Sequence, residues 1–143
     1  MILVIDASVA IKWFLHFRSD EAHADRALEI LAGIDACEVE LIQPPHFVAE
    51  IAAVLAREKP KEAITDLDDL LNVAFKVIEE PAIYATATDL SIRLNHHLFD
   101  TLYHATALHT AGAVYITADG RYYGKAKDFG QIALLAEFEL SRG

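Results

Sequence analysis

Ile2-Leu3-Val4-Ile5-Asp6-Ala7-Ser8-Val9 decides the fold. Four consecutive apolar residues, mostly β-branched, read as a short strand buried on both faces, because a strand with one wet face alternates apolar and polar side chains. An aspartate follows directly, and Ser8 is placed to cap a short helix carrying Val9, Ile11, Trp13, Phe14 and Leu15. The same grammar returns late in the chain. Ala113-Val114-Tyr115-Ile116-Thr117 reads as a strand, and Asp119 comes just after it.

Working outward, residues 39–43 form a candidate strand stopped by Pro44 and Pro45, 77–79 a short one ending before Pro81, and 132–135 a last one. Apolar residues at helical spacing predict helices over 20–34, 46–57, 61–75, 83–94 and 101–111, with Gly112 closing the last of these, and a short helix over 122–127. Strands alternating with helices imply an α/β fold with a small, mainly parallel central sheet flanked by helices. No repeat, linker or low-complexity tract divides the chain, so 1–143 is expected to be a single domain.

Composition narrows the class. The 143 residues are 54% hydrophobic, enough for a real core, and no apolar run approaches the ~20 residues of a membrane span. The N-terminus carries no basic leader and meets an aspartate at position 6, so it reads as a strand and not a signal peptide. The single cysteine, Cys37, excludes an internal disulfide and a cysteine-built zinc site. A cytoplasmic protein is expected. The formal net charge of −10 argues, taken alone, against a nucleic-acid binder.

Four acids stand apart from the rest. Most acidic residues fall where solvent is expected, but Asp6, Glu50, Asp100 and Asp119 have apolar neighbours, and a lone buried carboxylate is costly. Asp6 and Asp119 each follow a strand, and ligands of open parallel sheets bind outside the carboxyl ends of strands. Glu50 lies within a helix and Asp100 at the start of another, so both can project into the same crevice. Each has a bland explanation: Asp100 as the cap of a helix at Thr101, Asp119-Gly120 as a turn, Asp6 as the start of the turn into Ser8. Glu50 is the hardest to dismiss. A hard divalent cation with oxygen ligands, Mg²⁺ or Mn²⁺, explains all four together.

Val4-Ile5-Asp6-Ala7-Ser8-Val9, Val48-Ala49-Glu50-Ile51-Ala52, Phe99-Asp100-Thr101-Leu102-Tyr103-His104-Ala105 and Ile116-Thr117-Ala118-Asp119-Gly120-Arg121-Tyr122-Tyr123 resemble, in order and spacing, the four motifs of PIN-domain ribonucleases. Within that family the chain is most similar to VapC-type toxins of type II toxin–antitoxin systems. The resemblance implies a PIN-like three-layer sandwich and makes Asp6, Glu50, Asp100 and Asp119 an acidic quartet, with Ser8 and Thr117 supporting the metal or its waters. It implies endoribonuclease activity, a cognate antitoxin that lies in an apolar groove, and a homodimer. Two positions depart from the pattern: Ala53 stands where many such toxins carry asparagine, and Gly120 where a charged residue is common.

The chemistry expected of such a site is hydrolysis of an RNA phosphodiester. Asp6, Asp100 and Asp119 are assigned mainly to the metal, and Glu50 either orients the attacking water or completes a second site. Lys12, Arg121 and Lys125 flank the motifs as candidate RNA contacts, with Tyr122 and Tyr123 as candidate stacking surfaces. The overall acidity predicts that metal binds before RNA does. Asp100 and His104, four apart on one helix, have zinc-like spacing, but no second ligand pair supports zinc; His96, His97 and His109 read as core or surface residues. Trp13, Phe14 and Phe17 read as core, or as a groove for a partner helix. A phosphoacceptor receiver domain lacks its acidic pair and strand-end lysine here, and a haloacid-dehalogenase-type phosphatase lacks its second aspartate, where Ser8 stands. A non-catalytic PIN-like module binding RNA or protein is the remaining alternative.

Overall fold

The computed structural model describes residues 1–140. The strands are β1 (Ile2–Ile5), β2 (Glu40–Gln43), β3 (Lys76–Val77), β4 (Ala113–Thr117) and β5 (Ile132–Leu134). The helices are α1 (Ala7–Ala10), α2 (Lys12–Leu15), α3 (Ala24–Asp35), α4 (Phe47–Glu58), α5 (Ala63–Leu71), α6 (Pro81–Leu94), α7 (Leu98–Leu108) and α8 (Gly120–Ala126). Short 3-10 turns at Lys127–Phe129 and Leu135–Glu137 flank β5.

All strand pairings are parallel, in the order β3-β2-β1-β4-β5. The chain therefore runs outward from β1 in one direction, then returns to build the other half from β4. The switch point lies between β1 and β4, where Ile2 to Ile5 pair with Ala113 to Ile116. At such a point the connections leave in opposite directions and a crevice opens at the carboxyl ends. Helices cover both faces, which is why Leu3, Val4, Ile5, Tyr115 and Ile116 are completely buried. The α/β sandwich with a small parallel sheet is the expected architecture.

Several boundaries differ from the sequence expectation. The helix expected from residue 20 starts at Ala24, because His23 takes a left-handed conformation (φ 59°) that cannot extend a helix backward. The cap of the first helix is Asp6, not Ser8: its carboxylate accepts the Ser8 N–H. Pro81 does not end a strand; it opens α6 at a position where a missing N–H costs nothing. Strand β3 is Lys76–Val77, starting one residue earlier than the expected 77–79 and ending two residues sooner. The helix expected from Thr101 begins three residues earlier, at Leu98, so Asp100 lies inside its first turn and does not cap it. Gly112 (φ +79°) does close the turn between α7 and β4, as expected of a residue without a Cβ.

Trp13 is core: its indole N–H donates to Ala27 O at 2.8 Å, fixing α2 on α3. Phe17 is not core and stands 66% exposed. Gln43, at the end of β2, is fully buried and its amide bonds both the N–H and the C=O of Ile5, at 2.9 Å each. That bracket locks the carboxyl end of β1 just before Asp6. Among the described residues no helix is long and apolar enough to cross a membrane.

Candidate metal centre

Asp6 continues the sheet by its backbone, donating to Ile116 O at 3.0 Å, and turns its side chain into the crevice. Its Oδ2 accepts from Tyr115 Oη and from Thr117 Oγ1, both at 2.9 Å, while Oδ1 accepts the Ser8 N–H at 3.3 Å. Burial pushes the Asp6 carboxyl up from its ordinary value; these hydrogen bonds oppose that, and the Asp100 charge adds to it. Asp6 and Asp100 are therefore close enough to feel one another's charge.

Thr117 joins two of the acids. It donates to Asp6 and accepts the Asp119 N–H at 3.0 Å. Asp119 then caps α8 with one oxygen, Oδ1 accepting from the Arg121 and Tyr122 N–H groups at 3.0 and 3.1 Å. The turn explanation for Asp119 is thus true for half of its carboxylate. Its other oxygen, Oδ2, faces His96 Nε2 at 4.0 Å.

Asp100 reaches the same place from α7. Its Oδ2 lies 2.8 Å from His96 Nε2, and His96, Asp100 and Asp119 offer ligand atoms that all lie within 4.8 Å of one another. His96 Nδ1 is 3.4 Å from Lys125 Nζ. An ammonium only donates, so Nδ1 is the acceptor and Nε2 carries the proton given to Asp100. In this arrangement His96 orients Asp100.

Glu50 is one step removed, on α4. Its Oε1 accepts from Tyr103 Oη at 2.6 Å and from His46 Nε2 at 3.2 Å. Burial acts to raise its carboxyl, but the His46 and Tyr103 hydrogen bonds outweigh this and hold it below the ordinary value. The single His46 Nε2–H is shared with Phe99 O at 2.7 Å, tying the residue before α4 to the start of α7. Under these acids lies an aromatic floor of Tyr103, Tyr115 and Tyr122, buried and with phenols pushed up by burial and by the nearby carboxylates.

The tight group is therefore His96, Asp100 and Asp119, with Asp6 joined through Thr117 and Glu50 through Tyr103. Neither His96 nor His46 was expected at the site. Both stand four residues before an acid on the same chain segment (His46 and Glu50, His96 and Asp100), a helical-face spacing readable in sequence. His104, which has the other such spacing to Asp100, faces away: Nε2 donates to Gly130 O at 2.8 Å and Nδ1 accepts from Tyr122 Oη at 2.9 Å. Burial holds its imidazole below the ordinary value.

The donor set suits a hard cation. It supplies carboxylate oxygens of two or three aspartates, and Ser8 Oγ is a buried hydroxyl beside Asp6 with no hydrogen-bond partner. A metal with its waters would give that orphaned oxygen a partner. Of the candidate RNA contacts, Lys12 is buried and ion-paired with Glu21 at 2.9 Å, so it does not face solvent. Tyr122 is buried beneath His96, with ring centroids 4.8 Å apart, and cannot stack on a base. Arg121 and Lys125 line a pocket beside the acids.

Among solved structures, the chain is similar in fold to the crystal structure of PAE2754 from Pyrobaculum aerophilum. The TM-score is 0.59 at 19% identity, covering 94% of this chain and 89% of that one. No curated protein sequence matches the chain. The PIN domain family matches residues 3–128, a span that holds Asp6, Glu50, Asp100 and Asp119. With that match over most of its length, the chain belongs to the PIN domain family.

Proposed function

We propose that this protein is a Mg²⁺- or Mn²⁺-dependent endoribonuclease and the toxin of a toxin–antitoxin pair. The family is generally nuclease-like and commonly binds divalent metal. The observation that carries the reading is the meeting of Asp100, Asp119 and His96 beside buried Asp6, at the switch point of the sheet. Asp100 and Asp119 would hold the cation directly, and Asp6 would complete its surroundings with Thr117 and Ser8. A divalent ion there supplies an activated nucleophile and charge neutralisation at a phosphate.

The protein's own groups do the rest. Glu50, kept ionised by His46 and Tyr103, is the base that orients the attacking water. Thr117 holds Asp6 and Asp119 in fixed relation, so neither must reorganise when substrate arrives. His96 fixes the rotamer of Asp100.

The test is cleavage of single-stranded RNA with Mg²⁺ or Mn²⁺, with EDTA, and with Asp6→Ala and Asp100→Asn. Cleavage is expected only with metal and with both acids. Activity that survives EDTA, or either substitution, overturns the reading.

The toxin role rests on the motif resemblance and on one surface. A groove of about 460 Å³ is lined by Trp13, Phe14, Phe17 and Leu31, with Asp35 and Asp69 on its rim and Lys59 paired to Asp66 within it. Its apolar floor and acidic rim suit an amphipathic basic helix, the chemistry expected of an antitoxin. Expression in a bacterial host should arrest growth, and the product of a short adjoining reading frame should relieve it. Growth that continues at full expression of active protein removes the toxin role. The homodimer implied by the resemblance is checked by sedimentation of the purified chain.

A further inference from the structure

The pocket beside the acids has a character at odds with the rest of the chain. It measures about 490 Å³ and is lined by Ser91, Asn95, His97, Arg121 and Lys125, with His96 as the wall it shares with Asp100 and Asp119. The protein carries 22 acidic and 12 basic side chains, so a cavity lined by two basic residues and by no carboxylate stands out. Lys12 pairs with Glu21, Arg18 and Arg57 with Glu58, Lys59 with Asp66, and Arg93 with Asp89. Among the basic residues outside those pairs, Arg26 and Lys76 line cavities that also hold acids, whereas Arg121 and Lys125 share one cavity without a carboxylate.

Lys125 is held in place for this. Its ammonium donates to Asn95 O at 3.2 Å and sits 3.4 Å from His96 Nδ1, which fixes it on the pocket wall without neutralising it. Arg121 starts α8 beside Asp119, whose Oδ1 takes its backbone N–H. A planar guanidinium and a point-charge ammonium around a polar cavity match a tetrahedral oxyanion well.

We propose that this pocket binds one phosphate of the RNA backbone, the one neighbouring the phosphate that is cleaved. The assignment of RNA rests on the ribonuclease reading above; the anion site itself rests on Arg121 and Lys125. The shared wall at His96 sets the spacing: a phosphate in the pocket lies one side chain away from the acids. In an otherwise acidic protein, this anchor explains how a polyanion is drawn to the crevice at all.

The experiment measures binding of a fluorescent single-stranded 12-mer RNA in Mg²⁺ to a Glu50→Gln background, as a function of salt. Adding Arg121→Ala and Lys125→Ala together should weaken binding about tenfold and flatten the log–log salt slope by about 0.7, one phosphate contact on a single strand. Lys76→Ala, a charge removal at β3 on the far edge of the sheet, should change neither. Inorganic phosphate should displace RNA from the background protein and not from the double variant. The rise in melting temperature with Mn²⁺ should be the same in both, showing that the fold and metal site are intact. Unchanged affinity and slope in the double variant overturn the pocket, even if wild-type protein cleaves RNA. Phosphate binding that leaves RNA affinity untouched also overturns it. Binding that depends on Arg121 and Lys125 without cleavage by wild type upholds the pocket and overturns the nuclease.

Discussion

Tyr103 and Tyr115 stack with ring centroids 6.0 Å apart and planes 5° from parallel, and each hydroxyl holds a different carboxylate. Tyr103 Oη donates to Glu50 at 2.6 Å and Tyr115 Oη to Asp6 at 2.9 Å. Two acids from distant parts of the chain are thus set on one rigid aromatic floor. A stacked pair resists the small displacements that cost catalytic geometry, so the floor positions both acids as a unit.

The two tyrosines should not be equivalent on substitution. Tyr115→Phe removes a donor from a fully buried carboxylate and should cost about 1–3 kcal/mol of stability. Tyr103→Phe leaves Glu50 half-buried and still bonded to His46, so its cost should be smaller. Urea denaturation of the two variants side by side measures the difference.

Asp6 should be a site where stability is given up for function. Its folded carboxyl titrates above its ordinary value of 3.8, so the native state binds its proton more tightly than the unfolded chain does. Stability from this group is then greatest at low pH and is lost as pH rises through the folded value. Asp6→Asn cannot ionise. Relative to wild type, it should be more stable at pH 8 than at pH 4.5, while losing RNA cleavage. Melting curves across that range check the sign.

His104 gives the opposite dependence. Its folded imidazole titrates below the ordinary 6.5, because burial disfavours the cation. The unfolded chain therefore takes up the proton first, and the stability contributed is complete above about 6.5 and is lost as pH falls. His104→Gln keeps a donor for Gly130 O and an acceptor for Tyr122 Oη. The variant should flatten the fall in melting temperature between pH 7 and pH 5.

Substitutions at Asp119 can separate its helix cap from its proposed metal role. Asn is as good an N-cap as Asp, so Asp119→Asn should melt like wild type in EDTA, whereas Asp119→Ala should lose about 1 kcal/mol with the cap. In Mn²⁺ at a hundredfold excess over its dissociation constant, wild type should gain about 2.7 kcal/mol. Both Asp119 variants should gain much less. Differential scanning fluorimetry with and without Mn²⁺ reads both effects.

The sequence by itself determined the α/β class, the parallel sheet and the positions of β1, β2, β4 and β5. These follow from apolar runs and turn residues, which act over a few neighbouring residues. It marked Asp6 and Asp119 as special because each follows a strand, a local property. It could not say that Asp100 lies inside a helix turn, since the first turn of α7 is held by long-range bonds, from His46 to Phe99 O and from Thr101 to Ala87 O in α6. Nor could it choose between His96 and His104, both four residues from Asp100: packing decided, turning one toward the acids and the other toward Gly130. The partners of Asp6, Tyr115 and Thr117, lie more than a hundred positions away and meet it only because β1 and β4 pair at the switch point. Side-chain orientation and long-range pairing depend on the whole packed interior, and only the tertiary structure settled which charges stand bare and which are spent on ion pairs.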